Sequence, residues 1–169
     1  GVNKISNGGN VSNAWFTLSI GEWKYLLDDR PNASAKQGVA MVNGVNGLVL
    51  LPDNWTLPDG AHFTSGFASN NGFEEYKTVN TYTISEWEVM ESAGAVFLPA
   101  AGSRYGSSMV NVGTSGYYWS STYYSSNYAY RVYFSSGNLG PSNYGSRYNG
   151  HSVRLCSEVV NNNCVVFGT

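Results

Sequence analysis

The sequence predicts an α+β fold, and three observations lead to this prediction. Two segments carry the same helix-start signal, one near residue 20 and one near residue 84. Each is followed further along by a short apolar run that ends in proline, which is typical of a buried strand. From about residue 112 onward the chain is rich in tyrosine and has the composition of strands and turns. We expect two helices packed on short antiparallel sheets, connected by much irregular loop.

A chain of 169 residues is long enough for one domain with its own hydrophobic core. Charged residues make up 12% of the chain, too few to suggest disorder driven by charge. We predict a single, monomeric domain over residues 1–169. Within it, about residues 1–14 are expected to form an N-terminal extension, and residues 156–169 a C-terminal tail or hairpin.

Two capping boxes mark the predicted helix starts. Ser19 precedes Glu22 by three residues, and Thr83 precedes Glu86 by the same spacing. In such a box the hydroxyl and the carboxylate each accept a hydrogen bond from a free backbone N–H group at the helix start. This role accounts for the two Glu-Trp pairs better than the alternative, a catalytic or ligand-contact role. The predicted helices cover about residues 20–29 and 84–93, the first with Trp23, Leu26 and Leu27 on one face.

Two short buried strands and a long loop follow from the apolar runs and the turn residues. The strands are Gly47–Pro52 and Gly94–Pro99, and the Asn-Gly pairs at 43–44 and 46–47 mark tight turns that bracket a hairpin. Residues 52–80 are predicted to be irregular loop. Its acids could offer oxygen ligands to calcium, but their spacing matches no loop of defined geometry. We therefore expect them to be solvated: Asp53, Asp59, Glu74 and Glu75.

The C-terminal half is predicted to contain three strands, Gly116–Ser121, Tyr128–Ser135 and His151–Leu155. Successive side chains of a strand point to opposite faces of its sheet. The more apolar face of the second strand is expected to meet the core and carries Tyr128, Tyr130, Val132 and Phe134. The opposite face is expected to meet solvent and carries Ala129, Arg131, Tyr133 and Ser135. Residues 137–150 are expected to form no regular element.

The stretch from Gly102 to Ser152 has the composition of a binding surface. It holds ten of the thirteen tyrosines, and Tyr, Ser, Gly and Asn fill 36 of its 51 positions. Antibody combining loops favour this mixture, because Tyr gives large amphipathic contact area with few rotatable bonds and the small polar residues give adaptable hydrogen bonding. The alternative is a β-rich segment with polar turns, since Tyr also favours strands. The stretch contains no Asp or Glu.

Several function classes are disfavoured. The net charge of −2 gives no general electrostatic case for binding nucleic acid, and the arginines at 104, 131 and 147 are a weak signal for it. No apolar run approaches the length of a membrane span, so direct membrane insertion is not expected. His62 and His151 are isolated in the sequence, and no catalytic triad, paired carboxylates or phosphate-binding loop is evident. We expect no catalytic residues, no metal ligands and no cofactor.

Cys156 and Cys164 lie near the C-terminus with seven residues between them, enough for a hairpin closed by a disulfide. The alternative is two thiols that do not pair. We favour the disulfide because low charge and abundant Tyr, Ser and Asn suit an extracellular protein. Neither cysteine has a neighbouring histidine, so a catalytic or zinc-binding role is not expected.

An ordered series of motifs runs through the chain: Leu50-Leu51-Pro52-Asp53-Asn54-Trp55, Leu98-Pro99-Ala100-Ala101-Gly102, Gly116-Tyr117-Tyr118-Trp119-Ser120-Ser121-Thr122 and Ser152-Val153-Arg154-Leu155. This series resembles the C-type-lectin-like domains of the FISUMP ("major paralogous domain") type, which occur in surface proteins of gut anaerobes. The resemblance covers about residues 15–155. It implies a C-type-lectin-like fold and an extracellular or cell-surface location, with any signal or lipoprotein segment lying outside this sequence.

Such domains are similar to formylglycine-generating enzymes and to the variable proteins of diversity-generating retroelements. Retroelements change adenines, and altered Asn codons give Tyr and Ser among other residues, so a diversified surface is rich in these types. The resemblance thus implies a non-catalytic, adhesin-like or receptor-like domain that binds an unknown protein or glycan, with active diversification as the lesser expectation. The candidate ligand-binding residues are Tyr105, Tyr123, Tyr124, Asn127, Arg131, Tyr133, Ser135, Asn138, Asn143, Tyr144, Arg147 and Tyr148.

Calcium-dependent sugar binding is not expected, because the motifs of calcium-type lectins are absent and the tyrosine-rich stretch has no carboxylate. One alternative is a structural or spacer domain of a larger surface assembly, which burial of Arg131, Tyr133 and Tyr144 would favour. Another is an enzyme related to formylglycine generation. That chemistry uses a paired-cysteine copper site, whereas the two cysteines here lie outside the matching core.

Overall fold

The computed structural model describes residues 15–67, 76, 80–158 and 164–165, and it confirms the α+β class. The first half contains strand β1 (Phe16–Thr17), helix α1 (Ile20–Lys24), a π-helical turn (Tyr25–Asp29), a 3₁₀ helix (Ala33–Lys36), strands β2 (Gln37–Val42), β3 (Val45–Leu50) and β4 (Thr81–Tyr82), helix α2 (Ile84–Ser92) and strand β5 (Val96–Pro99). The second half contains β6 (Ser103–Tyr105), β7 (Ser108–Val110), β8 (Ser115–Tyr123), β9 (Tyr128–Ser135), β10 (Asn138–Ser146), β11 (Leu155–Glu158) and β12 (Cys164–Val165).

Within the described residues the strands form four sheets. The central sheet has the order β4-β2-β3-β5, in which β4 is parallel to β2 and the other pairs are antiparallel. The tyrosine sheet has the antiparallel order β10-β9-β8. A small hairpin joins β6 to β7, and a terminal sheet joins β1, β11 and β12. The predicted N-terminal extension lies outside the described residues.

Both helices begin at the predicted capping boxes. The Glu22 carboxylate accepts a hydrogen bond from the Ser19 backbone N–H at 2.7 Å, and Glu86 accepts one from Thr83 at 2.7 Å. The first helical segment reaches residue 29 as predicted, but it ends in a π-helical turn, the wider form with i→i+5 hydrogen bonds. The second ends at Ser92, one residue before the predicted end.

The hairpin of β2 and β3 is confirmed only in part. Asn43 and Gly44 have φ values of 47° and 81°, as the two central residues of a type I′ turn require. The turn predicted at 46–47 is wrong, because both residues lie inside β3. A Cβ at Gly47 would lie 2.4 Å from the Phe97 ring, so glycine here permits the close approach of β5. Strand β2 was not predicted from the sequence.

Asn80 fastens the long loop to the central sheet. Its side chain is fully buried. The amide oxygen accepts a hydrogen bond from the Thr64 backbone N–H at 2.8 Å, and the amide nitrogen donates to the carbonyls of Val39 and Thr64, each at 2.8 Å. Residues 51–67 otherwise have no regular structure, as predicted. Asn80 therefore satisfies three backbone groups of the loop and of β2, beside the two backbone hydrogen bonds that Gly66 makes with Gln37 and Val39.

Asp53 is exposed, as predicted, with 54% of its side chain accessible to solvent. It pairs with Arg30 at 3.1 Å and with Lys36 at 3.0 Å, and the hydrogen bond from Lys36 is the main cause that holds its pKa below the usual value. Asp59 is exposed, as expected. Glu74 and Glu75 lie outside the described residues.

The largest departure from prediction is strand β10, which occupies much of the region expected to lack regular structure. It lies at the edge of the tyrosine sheet, and its register against β9 shifts between Gly140 and Asn143. Pro141 falls inside this bulge, where a residue without an N–H group disturbs no ladder hydrogen bond. The strand predicted at 151–155 is also wrong, since only Ser152 bridges β8 before β11 begins at Leu155.

The central sheet is buried on both faces. Leu48, Leu50 and Leu98 point to one side, where they pack with α1 and the tyrosine sheet in a cluster that includes Trp23, Leu27, Tyr118, Val132 and Phe134. Ala40, Val42 and Val49 point to the other side, where they pack with α2 in a cluster that includes Tyr82, Trp87 and Met90. Since the tyrosine sheet meets the core on one face only, its other face is available for a site.

The register of β8 against β9 depends on a glycine. Gly116 lies opposite Phe134, whose ring is fully buried and stacks on Tyr118 with 6.1 Å between ring centroids. A Cβ at residue 116 would lie 2.2 Å from the Phe134 ring. The Tyr118 hydroxyl donates to the Pro99 carbonyl at 2.8 Å, which joins the tyrosine sheet to the central sheet.

Strands β11 and β12 pair antiparallel, as a C-terminal hairpin requires. Cys156 is fully buried opposite Phe16 of β1. The register places Cys164 opposite Glu158, two residues beyond Cys156. A disulfide requires closely opposed cysteines, so the pairing of Cys156 with Cys164 stays a prediction.

We expect Gly116→Ala to lower the free energy of unfolding by about 2–3 kcal/mol, because the new methyl group forces the buried Phe134 ring to move. Gly21→Ala is the matched control. A Cβ at Gly21 meets only the Ser19 hydroxyl, at 3.9 Å, so this variant should be neutral or more stable by up to about 0.5 kcal/mol. Urea unfolding measures both; equal stabilities would contradict the packing described.

We expect Asn80→Ala to cost about 3 kcal/mol or more, because it leaves backbone groups of Val39 and Thr64 without partners. Amide hydrogen exchange across residues 51–67 should accelerate as the loop loosens. Asn138→Ala, at an exposed asparagine, should change stability by less than about 0.5 kcal/mol. Unchanged exchange in the loop of Asn80→Ala would refute the anchoring role.

Candidate functional site

Four tyrosines form an aromatic cluster at the β8–β9 turn end of the tyrosine sheet, here called the tyrosine cluster: Tyr124, Tyr128, Tyr130 and Tyr144. The rings of Tyr124 and Tyr144 are stacked, with centroids 4.7 Å apart and an interplanar angle of 2°. Tyr128 meets both edge-on, at 6.5 and 5.5 Å, and Tyr130 meets Tyr124 edge-on at 4.9 Å. Tyr124 and Tyr144 remain 41% and 50% exposed, so the stack presents an aromatic surface to solvent.

The tyrosine cluster arises where β9 extends beyond the core. Val132 and Phe134 are fully buried, as predicted for the apolar face of this strand. On the same face, Tyr130 is only half-buried and Tyr128 is 39% exposed, so the core prediction is wrong for these two residues. Tyr144 lies opposite Tyr130 on β10. One face of one strand therefore packs in the core at one end and builds the exposed cluster at the other.

The opposite face of the tyrosine sheet carries a second group, here called the arginine–histidine cluster: Tyr117, Trp119, Arg131, Tyr133 and His151. Arg131 donates a hydrogen bond from Nη1 to Nε2 of His151 at 2.9 Å, and its guanidinium carbon lies 4.8 Å from the Tyr117 ring centre. The His151 ring stacks on Tyr117 at 5.2 Å and contacts Trp119 at 4.2 Å. Tyr133 packs beside Tyr117 at 5.2 Å.

This packing corrects two expectations. Arg131 and Tyr133 are half-buried and do not lie freely in solvent. His151 is not isolated, because it contacts three side chains of the tyrosine sheet. His62 is exposed, and its ring stacks on Tyr82 with 4.8 Å between the ring centroids. The sequence holds one signal for the contact between Arg131 and His151, which is Gly145. A Cβ at this position would lie 3.0 Å from both side chains.

The electrostatics of the arginine–histidine cluster are set by burial and by the absence of acids from the surrounding stretch. Burial, with a further contribution from the Arg131 charge, lowers the pKa of His151 from 6.5 to about 4. The ring is therefore neutral at pH 7 and accepts the Arg131 hydrogen bond. Burial also lowers the pKa of Arg131. Among the described residues Arg131 forms no ion pair, and its Nε has no hydrogen-bond partner.

A third aromatic group consists of Tyr105 and Tyr148. Their rings meet edge-on at 5.7 Å, and they are 58% and 71% exposed. The contact exists because Arg104 and Gly150 exchange two backbone hydrogen bonds, at 2.7 and 2.8 Å, which hold residues 147–150 beside β6. Both tyrosines were predicted ligand residues, but their proximity could not be read from the sequence because 42 residues separate them.

The remaining candidates fall at two ends of the tyrosine sheet. At the β8–β9 turn, Tyr123 is 66% exposed, Asn127 is exposed, and the Asn127 carbonyl accepts from the Arg147 backbone N–H at 3.0 Å. Asn143 is half-buried, and its side chain accepts from the Tyr144 N–H at 2.8 Å. Ser135 and Asn138 lie at the other end of β9, roughly 24 Å away for a strand of this length. The twelve candidates thus do not form one compact patch.

Tyr128 and His151, like Tyr117, Trp119 and Tyr130, were not among the predicted ligand-binding residues. Tyr128 was placed in the core because strict alternation does not show where the core ends. His151 was set aside because its neighbours in the sequence form no recognisable catalytic or metal-binding motif with it.

A family model described as "Domain of unknown function (DUF8237)" matches residues 67–156, just over half of the chain. The chain belongs to the DUF8237 family. All twelve candidate ligand-binding residues, and the tyrosine-rich stretch from Gly102 to Ser152, lie within the DUF8237 match. No curated protein and no solved structure matches the chain.

In the described part of this DUF8237 protein, no group of three or more His, Cys, Asp or Glu side chains is placed to hold a metal ion. None of the helices in this part has the length and apolar character needed to cross a membrane.

His151 should make the stability of this DUF8237 domain fall with acidification. Because its pKa is about 4 in the folded chain and 6.5 ordinarily, the unfolded chain takes up a proton that the folded chain does not. The free energy of unfolding should therefore decrease as pH falls from 6.5 towards 4. Above pH 6.5, His151 should make no contribution to the pH dependence of stability. Urea unfolding at several pH values should show a shallower slope for His151→Gln than for the wild type. His62→Gln, the control, should keep the wild-type slope; a similar flattening in both variants would contradict the assignment.

Proposed function

We propose that this DUF8237 protein is a non-catalytic ligand-binding domain of a bacterial surface or secreted protein, and that the tyrosine cluster is its central contact surface. The observation that carries the proposal is the exposed, stacked pair of Tyr124 and Tyr144, supported edge-on by Tyr128. Soluble monomers rarely leave a contiguous group of large aromatic rings exposed without a binding role.

The geometry of the cluster suits recognition. Each tyrosine offers large contact area together with a hydroxyl that donates or accepts hydrogen bonds. The rings already pack on one another, so little side-chain freedom is lost when a ligand contacts them. No carboxylate occurs between Gly102 and Ser152. This stretch therefore presents no acidic side chain to a negatively charged or a neutral ligand.

A C-type-lectin-like fold of the FISUMP type is part of the proposal. The motifs that carry the resemblance lie at the end of β3, on β5, on β8 and just before β11, and β3 pairs with β5. Tyr118 bonds to the Pro99 carbonyl, and Tyr118 also bridges Ser152. The motif series is therefore one connected structural unit, which supports a common fold for chains that share it.

The proposed ligand is a protein or a glycan, bound without calcium. Tyrosine rings stack on sugar rings and anchor protein interfaces equally well. The tyrosine-rich stretch supplies no carboxylate to hold a calcium ion. Retroelement diversification of this surface is a lesser proposal; a near-copy of the 3′ coding region beside a reverse transcriptase gene would establish it.

The structural or spacer alternative is favoured by one observation. Arg131 and Tyr133 are half-buried within the domain, so the ligand surface contracts to the tyrosine cluster, Tyr123 and the Tyr105–Tyr148 pair. Tyr144 is 50% exposed, which favours the binding role over the spacer role. A spacer role predicts that loss of the exposed rings leaves attachment to any surface unchanged.

Binding to intact animal and bacterial cells, together with a glycan microarray, tests the proposal. We expect the fluorescently labelled domain to bind saturably, and the Tyr124→Ala, Tyr144→Ala double variant to bind at least about tenfold more weakly, because it removes the stacked pair. Tyr25→Ala is the matched control, since Tyr25 is 48% exposed on the π-helical turn outside the site.

Treatment of the cells separates the two ligand classes. Loss of binding after periodate oxidation indicates a glycan, and loss after trypsin treatment indicates a protein. Addition of a calcium chelator should leave binding unchanged. Absence of saturable binding, or equal loss in the Tyr25→Ala control, would contradict the proposed surface.

A further inference from the structure

A cavity of about 90 Å³ lies between α1, the end of β3 and β5, outside the tyrosine cluster and the arginine–histidine cluster. Its walls are largely apolar, with Leu18, Leu50 and Leu98 buried in the core. Half-buried Leu26 and Pro52, and exposed Gly94, form the part of the lining that reaches solvent. A small molecule therefore has both an apolar interior and an entrance.

Three polar N–H groups belong to residues that line this cavity and have no hydrogen-bond partner among the described residues. They are Nε1 of Trp23, Nε of Arg30 and Nε of Arg154, and all three atoms are buried. Trp23 is 1% exposed and Arg30 is 4% exposed. Buried N–H groups are nearly always paired, so three unpaired donors on residues that line one cavity suggest an acceptor-rich occupant.

The two arginines differ in how their charge is balanced. Arg30 pairs with Asp53 and donates to the Leu51 carbonyl at 2.9 Å, so its charge is compensated and its position fixed. Arg154 forms no ion pair and no hydrogen bond within the described residues. The exposed Glu91 on α2 acts on it only through its charge. Among the described residues, Arg154 therefore has no ion-paired partner beside the apolar walls of the cavity.

We propose that this cavity binds a small monocarboxylate, with the carboxylate against Arg154 and the Trp23 N–H and the hydrocarbon part against the leucines. Carboxylate oxygens accept several N–H hydrogen bonds at once and neutralise the arginine. A cavity volume of about 90 Å³ suits an acid of a few carbon atoms. The site is independent of the ligand surface proposed above.

Calorimetric titration with butyrate, acetate and butyramide at pH 7 tests the site. Butyrate should bind saturably in the millimolar range, acetate more weakly because it covers less apolar surface, and butyramide weakest because it lacks the charge. Ordered water alone in the cavity would give no saturable heat with butyrate, and that outcome would overturn the proposal. Equal affinities for butyrate and butyramide would overturn it as well.

Arg154→Gln should weaken butyrate binding by about tenfold or more, since it removes a charge-assisted hydrogen bond. Arg104→Gln removes an exposed arginine of the β6–β7 hairpin and should leave the affinity unchanged. Arg154→Lys keeps the charge without the planar fork and should bind with intermediate affinity. Wild-type affinity in a folded Arg154→Gln variant would overturn the assignment. Should that variant fail to fold, the comparison of butyrate with butyramide on the wild type remains decisive.

Discussion

The contact between the Phe134 ring and the backbone of Gly116 is the constraint on which the arrangement of the tyrosine sheet depends. Because no side-chain atom fits at residue 116, the ring occupies that space and the two residues lie opposite each other. This register sends Val132 into the core and turns Arg131 to the other face. A slip of one residue would exchange the two faces, which the buried aromatic contact prevents. The position of every candidate on β9 therefore follows from core packing.

Local signals in the sequence predicted the elements that local interactions stabilise. The capping boxes at Ser19 and Thr83 involve residues three apart, and both helix starts were predicted correctly. Strand β10 was missed because its stability comes from pairing with β9 and its bulge accommodates a proline. The role of Asn80 was also invisible, since its partners Val39 and Thr64 lie 41 and 16 residues away in the chain.

The site shows the same division between local and long-range information. Composition identified the tyrosine-rich stretch, and alternation identified the two faces of β9. Neither could show that the core ends between Val132 and Tyr130, so Tyr128 was assigned to the wrong environment. Neither could show that residues 147–151 fold back onto the sheet, which brings Tyr148 to Tyr105 and His151 to Arg131. Distances of this kind depend on strand pairing, which single-sequence patterns do not encode.

The boundary of the core within β9 has a consequence for how this protein changes over generations. Substitutions at Val132 or Phe134 endanger folding itself, whereas the rings at 124, 128 and 144 lie beyond the packed interior. Selection can therefore alter the exposed rings of the proposed contact surface at one end of the strand while the other end keeps the chain folded. A hairpin divided in this way lets the surface vary without loss of the fold, whether the variation comes from ordinary point mutation or from a dedicated mechanism.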